Sequence, residues 1–213
     1  MNVIAVNGGP RKNWNTATLL HKALEGAASV GAKTEMIHLY DLNYKGCISC
    51  FACKRKGGAL GHCAMQDDLT DVLEKIIRAD VLLLGTPIYL SNVTGEMRSF
   101  LERLLFSNMT YNTGPRSTFR GKLSFGSIYT MNVTADEMEK LGYHALFKHY
   151  ESLLARLGGP SETLISNDTY QFDDYSKYEA SMFDAAHKAE VRAEQFPVDC
   201  QKAFEMGARL AAK

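Results

Sequence analysis

Apolar residues along this chain come in short uninterrupted blocks, each followed by a polar, often glycine-containing loop and then by an amphipathic stretch of helical period. Val3-Ile4-Ala5-Val6 and Val81-Leu82-Leu83-Leu84 are the clearest blocks. A strand that is apolar on both faces suits a parallel sheet covered on both sides. The pattern predicts strands at 2–6, 33–39, 80–86, 123–130 and 160–166, and helices at 16–29, 68–78, 95–106, 138–157 and 178–211. Such alternation argues for an α/β, doubly wound, three-layer architecture. Pro197 after Phe196 interrupts the last helical pattern, and an interior proline removes a hydrogen bond and crowds the preceding turn, so a kink or two helices are expected there.

The first strand leads through Asn7-Gly8-Gly9-Pro10-Arg11-Lys12-Asn13-Trp14 into a helix start at Asn15-Thr16. The first N–H groups of a helix lack internal partners and sit at the positive end of its dipole, so this arrangement suits a phosphate. Asn15 and Thr16 offer side-chain donors and a cap. Arg11 and Lys12 either add charge or remain ordinary solvated side chains. Neither G-x-x-x-x-G-K-[ST] nor G-x-G-x-x-G is present, which excludes a P-loop and a dinucleotide fingerprint and leaves a mononucleotide.

A second strand–loop–helix segment, Ala79 to Arg103, carries Thr86-Pro87-Ile88-Tyr89 at its strand end. Together with Gly9-Pro10-Arg11-Lys12-x-x-Asn15-Thr16, it resembles the NAD(P)H-dependent FMN reductase branch of the flavodoxin-like superfamily, and the likeness covers most of the chain. The resemblance implies that Gly9, Arg11, Asn13, Asn15 and Thr16 hold the phosphate of FMN, while Pro87, Ile88, Tyr89, Leu90 and Ser91 border the isoalloxazine ring. Asn132, at a third strand end, is placed at the flavin rim. Gly9 stands where the family often has serine, and Trp14 where glycine is common. The expected fold is a flavodoxin-like five-stranded parallel sheet of order 2-1-3-4-5, whose switch point between the first and third strands brings the two motif loops together.

Residues 1–213 read as one FMN-binding domain, with a cysteine-rich loop at 44–67 and no Pro/Gly/Ser-rich linker. The 24 basic and 24 acidic residues cancel, and no basic stripe suggests nucleic acid. Apolar runs are of strand length, and the N-terminus enters a strand without a signal-peptide pattern, so no membrane route and a cytoplasmic location are expected. A receiver domain would need an acceptor aspartate where Gly85-Thr86-Pro87 stands, and a small tyrosine phosphatase would need a cysteine in the first loop. Both are excluded.

Cys47, Cys50, Cys53 and Cys63 are spaced C-x2-C-x2-C-x9-C, and Cys200 stands apart. Closely spaced thiolates can wrap one face of a [4Fe–4S] cluster while a distant fourth closes it. The spacing resembles that of iron-sulfur flavoproteins, although the final gap, Lys54 to His62, is longer than their compact motif. Three readings stay open for the loop: a cluster, a zinc site or thiol–disulfide switch, or reduced structural cysteines, since free cysteine is a small, readily buried hydrophobe. His62 reads as a loop residue or a ligand, and His144 as structural.

The family resemblance implies ping-pong transfer of hydride from NAD(P)H through FMN to a quinone, nitroaromatic, flavin or similar acceptor, in a homodimer or homotetramer. Such chemistry belongs to the flavin and requires no catalytic base, so no catalytic side chain is assigned. The alternatives are an iron-sulfur electron carrier serving a redox protein, and a non-catalytic flavin or thiol sensor. Arg116 and Arg120 are candidates for a nicotinamide-nucleotide phosphate or a second subunit. Tyr170 to Tyr178 is a candidate cover for the acceptor pocket.

Overall fold

The computed structural model describes residues 1–58, 60–114, 116–119 and 121–212; Arg120 therefore lies outside the described residues. Strand β1 (Asn2–Asn7) leads into helix α1 (Asn15–Ser29), and β2 (Lys33–His38) is followed after the cysteine loop by α2 (Leu69–Ile76). Strand β3 (Val81–Tyr89) turns into a two-residue β4 (Asn92–Val93) and then α3 (Gly95–Asn108). The chain continues through β5 (Leu123–Thr130), α4 (Ala135–Lys140), α5 (Tyr143–Leu154), β6 (Gly158–Ser166) and α6 (Ala185–Ala211).

The five long strands run parallel in the order β2-β1-β3-β5-β6, which is the expected 2-1-3-4-5 order with one short strand added. The addition is β4, which folds back antiparallel on the end of β3, pairing Ile88 with Val93. Alternate residues of the inner strands serve opposite layers. Ile4, Val6, Leu82 and Leu84 belong to the core under α2, α3 and α5, whereas Val3, Ala5, Val81 and Leu83 belong to the core under α1 and α6. This is the period of two expected when both faces are buried.

Two helical expectations are corrected. The segment 138–157 is two helices, α4 and α5, because Gly142 adopts φ 71° and ends the first, which itself starts earlier at a Thr134–Glu137 capping box. The segment 178–211 is one helix that begins only at Ala185, capped by Asp184, and passes through Pro197 without division. Packing against α1 accounts for this continuity. A Cβ on Gly26 would lie 1.8 Å from the Phe204 carbonyl oxygen, and one on Gly207 1.8 Å from that of Ala23, so the two backbones nearly touch. Close contact along this crossing holds α6 in one piece against the local cost of proline.

Candidate functional site

Parallel register carries the ends of β1, β3 and β5 to one edge of the sheet, with Asn7 opposite Gly85 and Gly85 opposite Ile128. A cavity opens there. It is lined from the β1–α1 loop by Gly9, Pro10, Arg11, Trp14, Asn15 and Thr16, from the β3 end by Pro87, Ile88 and Tyr89, and from the β5 end by Thr130, Met131 and Asn132. The segment after β6 closes it with Thr169, Tyr170 and Gln171.

The loop is shaped by buried Asn7. Its Oδ1 accepts from Gly9 N–H at 2.9 Å and its Nδ2 donates to Gly9 O at 3.2 Å, which bends the chain into a tight turn. The same amide nitrogen lies 3.1 Å from Nδ1 of His38 at the end of β2. Because Oδ1 is already engaged, the nitrogen donates, His38 Nδ1 accepts, and the ring proton sits on Nε2. Burial, helped by Lys12 and His21 and opposed by Asp41, holds the His38 pKa below its ordinary value, in keeping with a neutral ring. A Cβ on Gly9 would come within 3.2 Å of both Asn7 Oδ1 and the Pro87 ring, so this turn accommodates glycine with little room for a larger residue.

The cap of α1 departs from expectation. The cap residue is Trp14, which offers no side-chain acceptor, and the first turn carries no acidic residue, so the positive end of the helix faces the cavity without an internal anion. Asn15 and Thr16 lie inside the first turn and are buried. Asn15 Nδ2 and Trp14 Nε1 both donate to Tyr170 O, at 2.8 and 3.1 Å, and Arg11 Nη1 donates to Gln171 O at 3.0 Å. Three donors thus converge on two successive carbonyls at the cavity wall. Thr16 and Thr130 join their hydroxyls at 2.7 Å across the α1–β5 gap.

Behind the first loop, buried Thr94 caps α3 by accepting from Met97 N–H at 3.2 Å and donates its hydroxyl to Gly8 O at 2.6 Å. The start of α3 is therefore fastened to the first loop. Between β3 and β4, Leu90 and Ser91 take φ 48° and 61°, and the Leu90 side chain stands free in solvent at the hairpin tip.

A second cavity lies against the far part of α3. Cys47, Cys50, Cys53 and Cys63 all line it, together with Met65, Arg103, Phe106 and Ser107. Ser49 and Phe51, which flank Cys50, both adopt φ 55°. Left-handed residues in such a loop turn successive N–H groups inward, a backbone form common around anionic clusters. In the gap before Cys63, Gly58 N–H donates to Arg55 O at 3.0 Å. Lys54 donates to the Phe106 and Ser107 carbonyls at the end of α3, and its ammonium lies 4.5 Å from the Phe106 ring centre. Among the described residues no three His, Cys, Asp or Glu side chains are close enough to hold a single metal ion, which is the zinc reading's requirement. All five cysteines are free.

A family model described as NADPH-dependent FMN reductase matches residues 1–133, more than half of the sequence and all of both motif loops. The chain belongs to this FMN reductase family. An iron-sulfur flavoprotein of Archaeoglobus fulgidus is 38% identical over 109 residues, covering 51% of this chain and 51% of that protein. One of Methanocaldococcus jannaschii is 36% identical over 103 residues, covering 48% of this chain and 51% of its own. The chain spans about half the length of these curated relatives. In fold it is similar to an NAD(P)H:quinone oxidoreductase from Methanothermobacter marburgensis, with TM-score 0.73 and 15% identity over 100% of this chain and 98% of that one.

For this FMN reductase family member, the structure brings Gly9, Arg11, Asn15, Thr16, Pro87, Ile88, Tyr89 and Asn132 to one cavity. Asn13, Leu90 and Ser91 do not line it; Asn13 is exposed, and Ser91 Oγ lies 3.0 Å from the Tyr143 hydroxyl instead. Arg116 is exposed and lines neither cavity. His62 and His144 each pair with a glutamate, Glu74 and Glu139, on the surface. Sequence reading missed Asn7, His38, Thr94, Thr130 and Arg192, the last of which donates to Asn15 Oδ1 at 3.1 Å and fixes that amide. Their roles arise from partners far along the chain, and only the polar residue ending an apolar strand, Asn7, carried a local signal. No helix among the described residues is long and apolar enough to cross a membrane.

Proposed function

We propose that the protein is an FMN-dependent oxidoreductase that takes hydride from NAD(P)H and passes electrons to a quinone, nitroaromatic, flavin or similar acceptor. One observation carries the reading: the uncapped N-terminus of α1, with no acidic residue in its first turn, opens into a cavity at the switch point of a parallel sheet. The main-chain N–H groups of the uncapped helix start suit the phosphate of FMN, with Gly9 allowing close backbone approach and Arg11, Asn15 and Thr16 framing the site. Pro87, Ile88 and Tyr89 offer a largely main-chain wall to the ring, and Asn132 stands at its rim. When bound, FMN supplies hydride acceptance at N5, so the protein's tasks are to orient it and to leave one face open. Trp14, Arg11 and Asn15 fasten the 169–171 segment over the phosphate end. Residues 1–213 would form one flavin-binding unit, working as a cytoplasmic homodimer or homotetramer.

Steady-state oxidation of NADH and NADPH by FMN-loaded protein with a quinone acceptor tests this. Parallel lines in double-reciprocal plots, the signature of ping-pong turnover, support it; absence of oxidation with quinone, nitroaromatic and free flavin alike overturns it.

A second reading is favoured by the four cysteines sharing one cavity: a [4Fe–4S] cluster on Cys47, Cys50, Cys53 and Cys63, making the protein an electron carrier for a redox protein. The left-handed turns at Ser49 and Phe51 fit such a ligand set, and a cluster spreads its thiolates farther apart than a single ion does. Anaerobic purification with about four irons per chain supports it, and iron-free protein that takes up none on reconstitution excludes it.

A further inference from the structure

Among the described residues Arg103 is the largest fully buried side chain, with 0% of its side chain exposed. A buried guanidinium persists only where its charge and donors are met. Asp67 meets two of them as a fork, accepting from Nη1 at 2.8 Å and from Nη2 at 3.1 Å. Nη1 also donates to Lys45 O at 3.0 Å, two residues before Cys47. Two N–H groups remain, the second of Nη2 and that of Nε, and Nε is directed at Sγ of Cys63, 2.9 Å away.

The Asp67 fork leaves Nε free, so the third contact is a separate feature of the geometry. A neutral thiol is a weak acceptor, whereas a thiolate sulfur forms a charge-assisted bond with guanidinium. The bond also reaches into the cavity that the other three cysteines line. Among the described residues, Arg103 is the one positively charged side chain lining that cavity. It sits about 14 Å along α3 from Thr94, which fastens the first loop, so one rigid helix spans both cavities.

We propose that Arg103 is a positioning residue for a cluster carried by the four cysteines, whose Nε–H bond to Cys63 Sγ favours the reduced form and sets its potential. The proposal rests on the second reading above. Reduction adds one electron, delivered by reduced flavin or a chemical reductant, to the cysteine-held centre; no bond to Arg103 forms or breaks and its proton stays in place. Donation to a ligand sulfur stabilises the form with more negative charge, which raises the potential. Asp67 opposes it by neutralising part of the guanidinium charge.

Anaerobic redox titration of reconstituted wild type, Arg103→Lys and Asp67→Asn, followed by absorption and electron paramagnetic resonance with iron counted on each sample, tests this. Lysine keeps a cation but loses Nε–H at this position. The expected result is equal iron in all three, Arg103→Lys about tenfold harder to reduce, a downward shift of about 59 mV for one electron, and Asp67→Asn shifted upward. Opposite shifts are what general loosening of the loop would not produce. Wild type with a cluster and variants of unchanged potential, or shifted in the same direction, overturns the role of Arg103 and leaves the cluster reading standing. Wild type that takes up no iron removes both. If Arg103→Lys does not fold, Asp67→Asn decides: an unchanged or lowered potential overturns the proposal.

Discussion

The two cavities on either end of α3 are built in different ways. The one at the strand ends is made by topology: parallel strands finish together, a helix begins there, and the walls at 87–89 and 169–171 present much main chain. The one lined by cysteines is made by side chains of a long loop that is docked onto α3 by Arg103, Lys54 and Phe51, the last packing edge-on against Phe106 with ring centres 5.9 Å apart. A backbone-built site follows from the order of elements, and its residues can vary while its geometry persists. A loop-built site depends on a few long-range contacts and is loosened when a whole docking side chain is removed. Truncating one docking side chain should therefore damage the second cavity far more than the first.

The largest expected effect is therefore at Arg103. Arg103→Met strands Asp67 in a partly buried site and releases Lys45 and Cys63, and breaking such a buried pair costs about 3–5 kcal/mol. Urea unfolding should show this loss, with flavin affinity of the surviving folded fraction within about twofold of wild type. A larger fall in flavin affinity would show that the cavities are not independently built.

Thr94→Ala sharpens the comparison from the other side. It removes the α3 cap and the bond to Gly8 O, for about 1–2 kcal/mol of stability, and loosens the first loop. Flavin binding should weaken about tenfold, while the iron content of reconstituted protein stays as in wild type. Equal weakening of both would contradict the division.

Acid should act on the first cavity through His38. A residue whose folded pKa lies below its unfolded value of about 6.5 contributes stability that is complete above that pH and is lost as pH falls through the folded pKa. Protonation puts a proton on Nδ1, which then can no longer accept from Asn7. Flavin affinity measured from pH 7.5 to 5 should fall toward acid, and His38→Gln should flatten that slope. An unchanged slope in the variant would remove His38 from the account.

The smallest effect belongs to Lys12. Its ammonium pairs with Asp41 at 2.7 Å, with both side chains about half exposed, and such surface pairs contribute about 0–1 kcal/mol. Lys12→Ala should leave thermal stability almost unchanged and flavin affinity within about threefold.

Legibility in the sequence followed the same division. The apolar blocks at β1 and β3 announced a buried parallel sheet, and the glycine turn before Asn15 announced a helix start beyond the strand end, because both signals are local. The break at Gly142 was locally visible yet was overridden by the helical period on either side of it. Continuity of α6 through Pro197 was invisible, since it comes from close contact with α1 at Gly26 and Gly207. Long-range pairs were equally hidden: Asn7 with His38, Thr94 with Gly8, and Arg103 with Asp67 join residues many positions apart. The cysteine spacing named a candidate site, but the arginine that reaches into it carries no local mark.

The central claim is that the switch-point cavity recognises a flavin through its phosphate. Titrating apoprotein with FMN and, separately, with riboflavin, by quenching of flavin fluorescence, tests it most directly. FMN should bind about a hundredfold more tightly or better, since the helix terminus, with no acidic residue in its first turn, and Arg11 act on the phosphate that riboflavin lacks. Equal affinity for the two flavins would contradict it.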